Sequence, residues 1–171
     1  MVYRRGMTFH FTTLESPVGT LTLVASDTGL VAVLWEEDDP LRVRLGPLTA
    51  DDAHPVLIAA ARQLRGYFAG DVTAFDLPLD MRGTEFQKRV WAALLTIPYG
   101  ETRSYGAIAR AIGHPTASRA VGAANGRNPL SIVAPCHRVV GTSGHLTGFA
   151  GGLAAKALLL ALERRAGELP L

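Results

Sequence analysis

Ser104-Tyr105-Gly106-Ala107-Ile108-Ala109-Arg110-Ala111-Ile112-Gly113-His114-Pro115-Thr116-Ala117-Ser118-Arg119-Ala120-Val121-Gly122-Ala123-Ala124-Asn125-Gly126 reads as two short helices joined by a tight turn. Ser104 can cap the first helix, whose apolar side is Ile108, Ala109 and Ile112, and Gly113 stops it before His114-Pro115. Thr116 is the expected cap of the second, Ala117 to Asn125, with Gly126 at its exit. That pattern is a helix-turn-helix. Apart from Arg119, Val121 and Asn125, the second helix is built from Ala, Ser and Gly. Such a surface permits close approach, either to another helix or to a DNA groove. Arg119 favours the groove, because an arginine has little reason to enter a protein core unpaired.

Upstream, Thr84-Glu85-Phe86-Gln87 is a capping box. It opens a helix with the stripe Phe86, Val90, Trp91, Leu94 and Leu95, ended by Pro98-Tyr99-Gly100. The first third reads instead as strands. Phe9 to Leu14, Thr20 to Val24 and Leu30 to Trp35 are β-prone, separated by turn signals at Ser16-Pro17-Val18-Gly19 and Asp27-Thr28-Gly29. They predict a three-stranded antiparallel meander. The charged stretch from Glu36 to Asp52 suits an exposed connection. From Pro55 the period becomes helical, with Leu57, Ile58, Ala61, Leu64 and Phe68 on one face and Gly70 as the stop. Phe75 to Met81 is extended and leads to Arg82-Gly83, where the domain boundary is placed. The expectation is an α/β chain: residues 1–81 form a sheet with one helix, and 82–171 a mostly helical domain with the helix-turn-helix.

A chain of 171 residues, 48% of them hydrophobic, has enough apolar material for a real core. Its longest apolar stretches fall short of the roughly 18 residues needed to span a bilayer. Met1 to Met7 carries positive charge without an apolar run after it, so it does not read as a secretory signal. With a single cysteine, the expected place is the reducing cytoplasm. The net charge of +2 is unevenly shared. Up to Met81 six arginines face eleven acids, a balance of −5; from Arg82 eleven bases face four acids, a balance of +7. The basic half suits a polyanion, most simply nucleic acid, although surface charge can also be uneven without a partner.

Downstream, Asn128-Pro129 breaks the chain and the apolar run Leu130 to Ala134 leads into Pro135-Cys136-His137-Arg138. A lone thiol is either an inert, buried small hydrophobe or a nucleophile activated by the histidine and the positive charge beside it. In an extended segment, neighbouring side chains point opposite ways, so Cys136 and His137 can cooperate only across a turn or through a water. Glu163 lies near the end of the last predicted helix, Leu153 to about Arg165, where the macrodipole disfavours a carboxylate. It either pairs with Arg164, Arg165 or Lys156 on the surface or orients a histidine.

Ile132-Val133-Ala134-Pro135-Cys136-His137-Arg138-Val139-Val140, with Asn128-Pro129 before it and Gly148-Phe149-Ala150-Gly151-Gly152-Leu153 after it, resembles the O6-alkylguanine-DNA alkyltransferase family (methylated-DNA–protein-cysteine methyltransferases). The resemblance extends back through Arg119-Ala120-Val121-Gly122, Ser104-Tyr105 and Gly83 to Gln87, essentially the whole C-terminal half. It implies a ribonuclease H-like N-terminal domain and repair of O6-alkylguanine in duplex DNA. Cys136 would take the alkyl group irreversibly, in a single-turnover (suicide) reaction without cofactor or metal. His137 would remove the thiol proton through a water, and Glu163 would hold the imidazole. Tyr105 would donate to the leaving purine and abut the target phosphate, and Asn128 would brace the turn before the cysteine.

Arg119 would fill the gap left by the flipped nucleotide. Ala117, Ala120, Gly122 and Ala123, with Thr84 and Tyr105, would approach DNA from the minor groove. Pro135, Val139, Phe149 and Ala150 would line the substrate pocket. The implied partner is double-stranded DNA; a monomer in solution is expected, with cooperative assembly on DNA a further option. Phe149 stands where many relatives have Tyr, and Ala150 where some have Ser, which removes a side-chain hydrogen bond. The structural zinc that some relatives hold partly through cysteines is not expected here. Two rival readings remain: a non-reactive DNA-binding regulator, and a cysteine hydrolase that turns over.

Overall fold

The computed structural model describes residues 8–141 and 148–167. Strands β1 (Phe9–Ser16) and β2 (Gly19–Ala25) form an antiparallel hairpin whose turn needs Gly19 at φ 98°, a backbone region that costs other residues. Strand β3 (Leu30–Leu34) continues the meander antiparallel to β2. The three predicted strands are therefore present, and a fourth joins them. Leu48–Ala50 forms β4, parallel to β1 at the sheet's other edge, giving the order β3-β2-β1-β4. The whole of β4 is exposed, so it carries no hydrophobic alternation and reads from sequence as connection.

Helix α1 (Pro55–Phe68) covers the sheet and ends near Gly70 at φ 83°. Its buried face is Leu57, Ala60, Ala61, Leu64 and Tyr67, whereas Ile58 is 51% exposed. The predicted face is thus rotated by about one residue, and that rotation brings Tyr67 inward. In α2 (Glu85–Leu94), Thr84 Oγ1 accepts from the Gln87 amide and the Gln87 side chain accepts from the Thr84 amide, as the capping-box spacing demands. Val90, Trp91 and Leu94 are buried; Leu95 falls at the helix end and is 45% exposed.

Ser104 caps α3 (Tyr105–Ala111) by accepting from the Ala107 amide. Helix α4 (Ser118–Gly126) has Ala117, not Thr116, at its N-cap and no side-chain cap, and Gly126 is its last helical residue rather than its exit. Trp91 Nε1 donates to the Ala124 carbonyl at 2.8 Å, which fixes α4 against α2. The segment into the cysteine is not a strand. Cys136–Arg138 is a single 3-10 turn, followed by β6 (Val139–Val140), which pairs in parallel with β5 (Arg103–Ser104). Helix α5 (Leu153–Gly167) closes the fold.

Leu130, Ile132, Val133 and Ala134 pack in one core with β1, β2, β3 and α1, while Cys136 and Val139 pack with α2, α3 and α4. The chain around Pro135 therefore passes from one core to the other. Ile132 makes this passage at φ 73°, a left-handed conformation rare for a β-branched side chain and tolerated here because its neighbours are all buried. Replacing the α2 cap, Thr84→Ala, is expected to cost about 1 kcal/mol in urea-induced unfolding. An unchanged midpoint would mean that the cap adds nothing to stability.

Candidate active site

Thirteen consecutive residues, Asn128 to Val140, are buried, so the backbone polar groups of this non-helical stretch need internal partners. Asn128 supplies two of them. Its amide donates to the Ala134 carbonyl at 2.8 Å and its Oδ1 accepts from the Leu130 amide at 3.0 Å. Asn125 Nδ2 reaches the Cys136 carbonyl at 3.4 Å. Arg42, held by Asp38, donates to the Asn128 carbonyl at 2.7 Å, and Trp35 Nε1 donates to Ser131 Oγ at 3.1 Å. The asparagine was singled out by resemblance. Arg42 and Trp35 were not, because nothing in their local sequence points at a segment about ninety residues away.

Cys136 and His137 lie in a 3-10 turn and not in an extended segment, so the strict alternation of a strand does not apply to them. His137 is fully buried, with Nε2 2.6 Å from Glu163 Oε2. An ionised carboxylate only accepts, so Nε2 carries the proton and Nδ1 presents a lone pair. Nδ1 is buried and has no partner among the described residues. Burial, opposed by the Glu163 contact, pushes the His137 pKa down, so the imidazole is neutral at rest. Glu163 itself does not pair on the surface. It is 1% exposed and also accepts from Arg138 Nε at 2.8 Å, Arg138 Nη2 at 3.1 Å, Tyr67 Oη at 2.6 Å and the Gly100 amide at 3.3 Å. Burial would raise its pKa, but the hydrogen bonds from His137, Arg138 and Tyr67 outweigh this and hold it at about 2.

Cys136 is 4% exposed. Burial raises its pKa, opposed by an Asn128 hydrogen bond and by the charges of Arg42 and Lys156. The resting sulfur is thus a thiol, in keeping with a proton that must be removed. The sequence reading is corrected in one respect: the cations acting on the sulfur are Arg42 and Lys156, while Arg138 is spent on Glu163 and on the Ile97 carbonyl at 2.7 Å. Lys156 is completely buried, with Nζ donating to the Val139 carbonyl at 2.7 Å.

Tyr105, Val139 and Phe149 all pack with the core cluster that contains Cys136. The β5–β6 pair places the start of α3 beside the segment following the cysteine. Pro135 and Ala150 open elsewhere. Pro135 lines a cavity of about 210 Å³ with Phe75, Tyr99 and Arg138, while Ala150 borders a cleft with Val18, Trp35 and Glu36. The cause lies at Gly151, which rests on the Trp35 ring: a Cβ there would meet ring carbons at 2.7 Å. Phe149 stands edge-on to the same ring at 5.3 Å. Of the loop between Gly141 and Gly152, residues 142–147 lie outside the described residues.

Most of the expected DNA-facing residues keep exposed surface, whereas Tyr105 is half-buried and packs on the core. Arg119, Ala120 and Ala123 on α4 are exposed, Ala117 and Gly122 are half-buried, and Thr84 is exposed at the start of α2. Arg119 makes no ion pair among the described residues. Gly122 lies against the Tyr105 ring, so α3 and α4 meet where α4 has no side chain.

The family model of the 6-O-methylguanine DNA methyltransferase DNA-binding domain matches residues 85–165, and that of the corresponding ribonuclease-like domain matches residues 9–81. A methylated-DNA–protein-cysteine methyltransferase of Mycolicibacterium paratuberculosis is 54% identical over 158 residues, which cover 91% of this chain and 92% of the relative. One from Methanosarcina acetivorans is 48% identical over 154 residues, covering 90% and 97%. The crystal structure of Mycobacterium tuberculosis OGT in complex with DNA matches with a TM-score of 0.83 at 52% identity, covering 92% of this chain and 94% of that one.

Glu163 has a depressed pKa, so its contribution to stability is complete above the ordinary 4.5 and is lost as pH falls toward about 2. Glu163→Gln leaves Arg138 buried without its counter-charge and is expected to cost about 3–5 kcal/mol near neutral pH. The gap to the native protein should narrow between pH 4.5 and 2. Urea midpoints at pH 7 and pH 3 measure this, and an equal gap at both values would contradict it.

Proposed function

The chain belongs to the 6-O-methylguanine DNA methyltransferase family, and on that premise we propose that it repairs duplex DNA by moving the alkyl group of O6-alkylguanine irreversibly onto Cys136. The observation that carries this reading is the buried thiol on a turn with a neutral histidine, whose Nδ1 lone pair is unpartnered and whose Nε2–H is locked on Glu163. The thiol proton passes through a water to Nδ1, and the imidazolium so formed is stabilised by Glu163. The thiolate sulfur attacks the alkyl carbon; the S–C bond forms, the C–O6 bond breaks, and its electron pair stays on the purine. Tyr105 donates to the ring as charge builds there. The proton released from the thiol balances the one that guanine regains.

No cofactor is required by this balance. The product is a thioether, with no leaving group for a second cycle, so each molecule acts once. A base stacked in a duplex cannot reach a sulfur that is 4% exposed, so the nucleotide is flipped out. Exposed Arg119 occupies the gap while the small residues of α4 lie in the minor groove. The +7 balance of the C-terminal half makes binding phosphate-driven and salt-sensitive.

Incubation with a duplex carrying O6-methylguanine should add one methyl mass to the intact protein, located on Cys136, and stop after one equivalent. Binding to the duplex without modification would instead mark a regulator, and sustained turnover of an ester or amide a hydrolase. Arg119→Ala should slow transfer from duplex DNA by at least tenfold while leaving reaction with free O6-methylguanine base nearly unchanged; equal losses on both would rule out a flipping role.

A further inference from the structure

Glu163 Oε2 receives three hydrogen bonds: two of equal length, from His137 Nε2 and from Tyr67 Oη at 2.6 Å, and a longer one from Arg138 Nη2 at 3.1 Å. Tyr67 comes from α1 and is fully buried; no other side chain of the N-terminal sheet-and-helix region is hydrogen-bonded to this group among the described residues. A core position there would accept Phe, and an oxygen at its ring tip is costly to bury unless it has a partner. Here that partner is the oxygen that also holds the histidine. Oε1 is occupied by Arg138 Nε and the Gly100 amide. With both oxygens engaged from opposite regions of the chain, the carboxylate plane is held, and Tyr67 and Arg138 Nη2 together fix the side of Oε2 that meets His137 Nε2.

We propose that Tyr67 is a positioning residue for alkyl transfer, through which the N-terminal region orients the Glu163–His137 relay. This rests on the assignment of Cys136 as the acceptor. Edge-on packing against Tyr99 at 6.2 Å and tilted packing against Phe75 at 5.6 Å fix the Tyr67 ring, so the hydroxyl is pre-aimed. Burial, and then the nearby Glu163 charge, push the Tyr67 pKa up, so it stays a donor throughout the working pH range.

The groups facing Glu163 are Tyr67 from α1, Tyr99 and Gly100 from the loop after α2, and His137 and Arg138 from the 3-10 turn. Arg138 and Lys156 add positive charge around His137. Loss of the Tyr67 hydroxyl leaves all of these in place but makes Oε2 a stronger acceptor for the Nε2 proton. The imidazolium is then held more tightly, and neutral His137 becomes available only at higher pH.

The test is single-turnover methyl transfer to Cys136 by native protein, Tyr67→Phe and Leu64→Ala across pH 5 to 9, from duplex O6-methylguanine and from the free base. Leu64→Ala removes packing one turn earlier on the same buried face and keeps the hydroxyl. Tyr67→Phe is expected to be about tenfold slower, the lower end of what losing an outer hydrogen-bond partner costs at metal-ligating histidines. The loss should be equal on duplex and free base, with the acid limb of the profile moved to higher pH; Leu64→Ala should melt earlier but keep the native profile. A native rate and profile in Tyr67→Phe overturns the proposal, as does the same profile shift in Leu64→Ala. A Tyr67→Phe protein that fails to fold where Leu64→Ala folds also overturns it, because the hydroxyl is then structural. Absence of transfer by the native protein would instead refute the assignment of Cys136.

Discussion

A single buried carboxylate organises this molecule. Glu163 gathers donors from α1, from the loop after α2 and from the 3-10 turn, while sitting itself on α5. An isolated charge in that position would be prohibitively expensive, and each donor lowers the cost by replacing a water that burial removed. The arrangement is consequently all-or-none: the elements that surround Glu163 have to be assembled together for any of them to be satisfied. The same constraint that assembles the fold sets the tautomer of His137. Stability and chemistry here use one set of hydrogen bonds.

The passage between the two cores has a similar logic. Leu130 to Ala134 packs with the sheet and α1, and Cys136 packs with the helices that present Arg119 outward. The sheet also hydrogen-bonds this run directly, through the Val33 amide to the Pro129 carbonyl at 2.8 Å. The N-terminal region is thus part of the wall that fixes the cysteine turn.

Much of this was legible from sequence where local rules act alone. The caps at Thr84 and Ser104, the breaks at Gly70 and Gly113 and the meander through Leu34 follow from turn chemistry and period, and the structure keeps them. The failures share a cause in tertiary context. Ile58 and Leu95 have the right period and the wrong surroundings, and β4 pairs by backbone alone. Glu163 was readable as anomalous and its pairing with His137 came with the resemblance, but its other donors, 25, 63 and 96 residues away, left no local signal. Tyr67 gave no signal, since one aromatic on an amphipathic helix is ordinarily core. The pairing of Arg138 with Glu163 instead of the thiol could not be seen from adjacency, which says nothing about direction.

The raised pKa of Cys136 looks at first like a poor way to build a nucleophile. For a recycling enzyme it would be, because every turnover would begin by ionising a reluctant thiol. A protein consumed in one reaction, as proposed for this one, faces the opposite hazard, that an exposed thiolate is oxidised or alkylated before it meets its lesion. Burying Cys136 at 4% exposure favours the protonated thiol, and the proposed base, His137, lies one residue away on the same turn. Lys156 and Arg42 then matter at the moment of ionisation, when a buried anion would otherwise find no positive charge nearby. Lys156 is itself depressed by burial and gains from a negative sulfur, so the thiolate and the ammonium stabilise each other only once the thiolate forms. The site is inert by desolvation and reactive by pre-placed charge, and the same burial produces both.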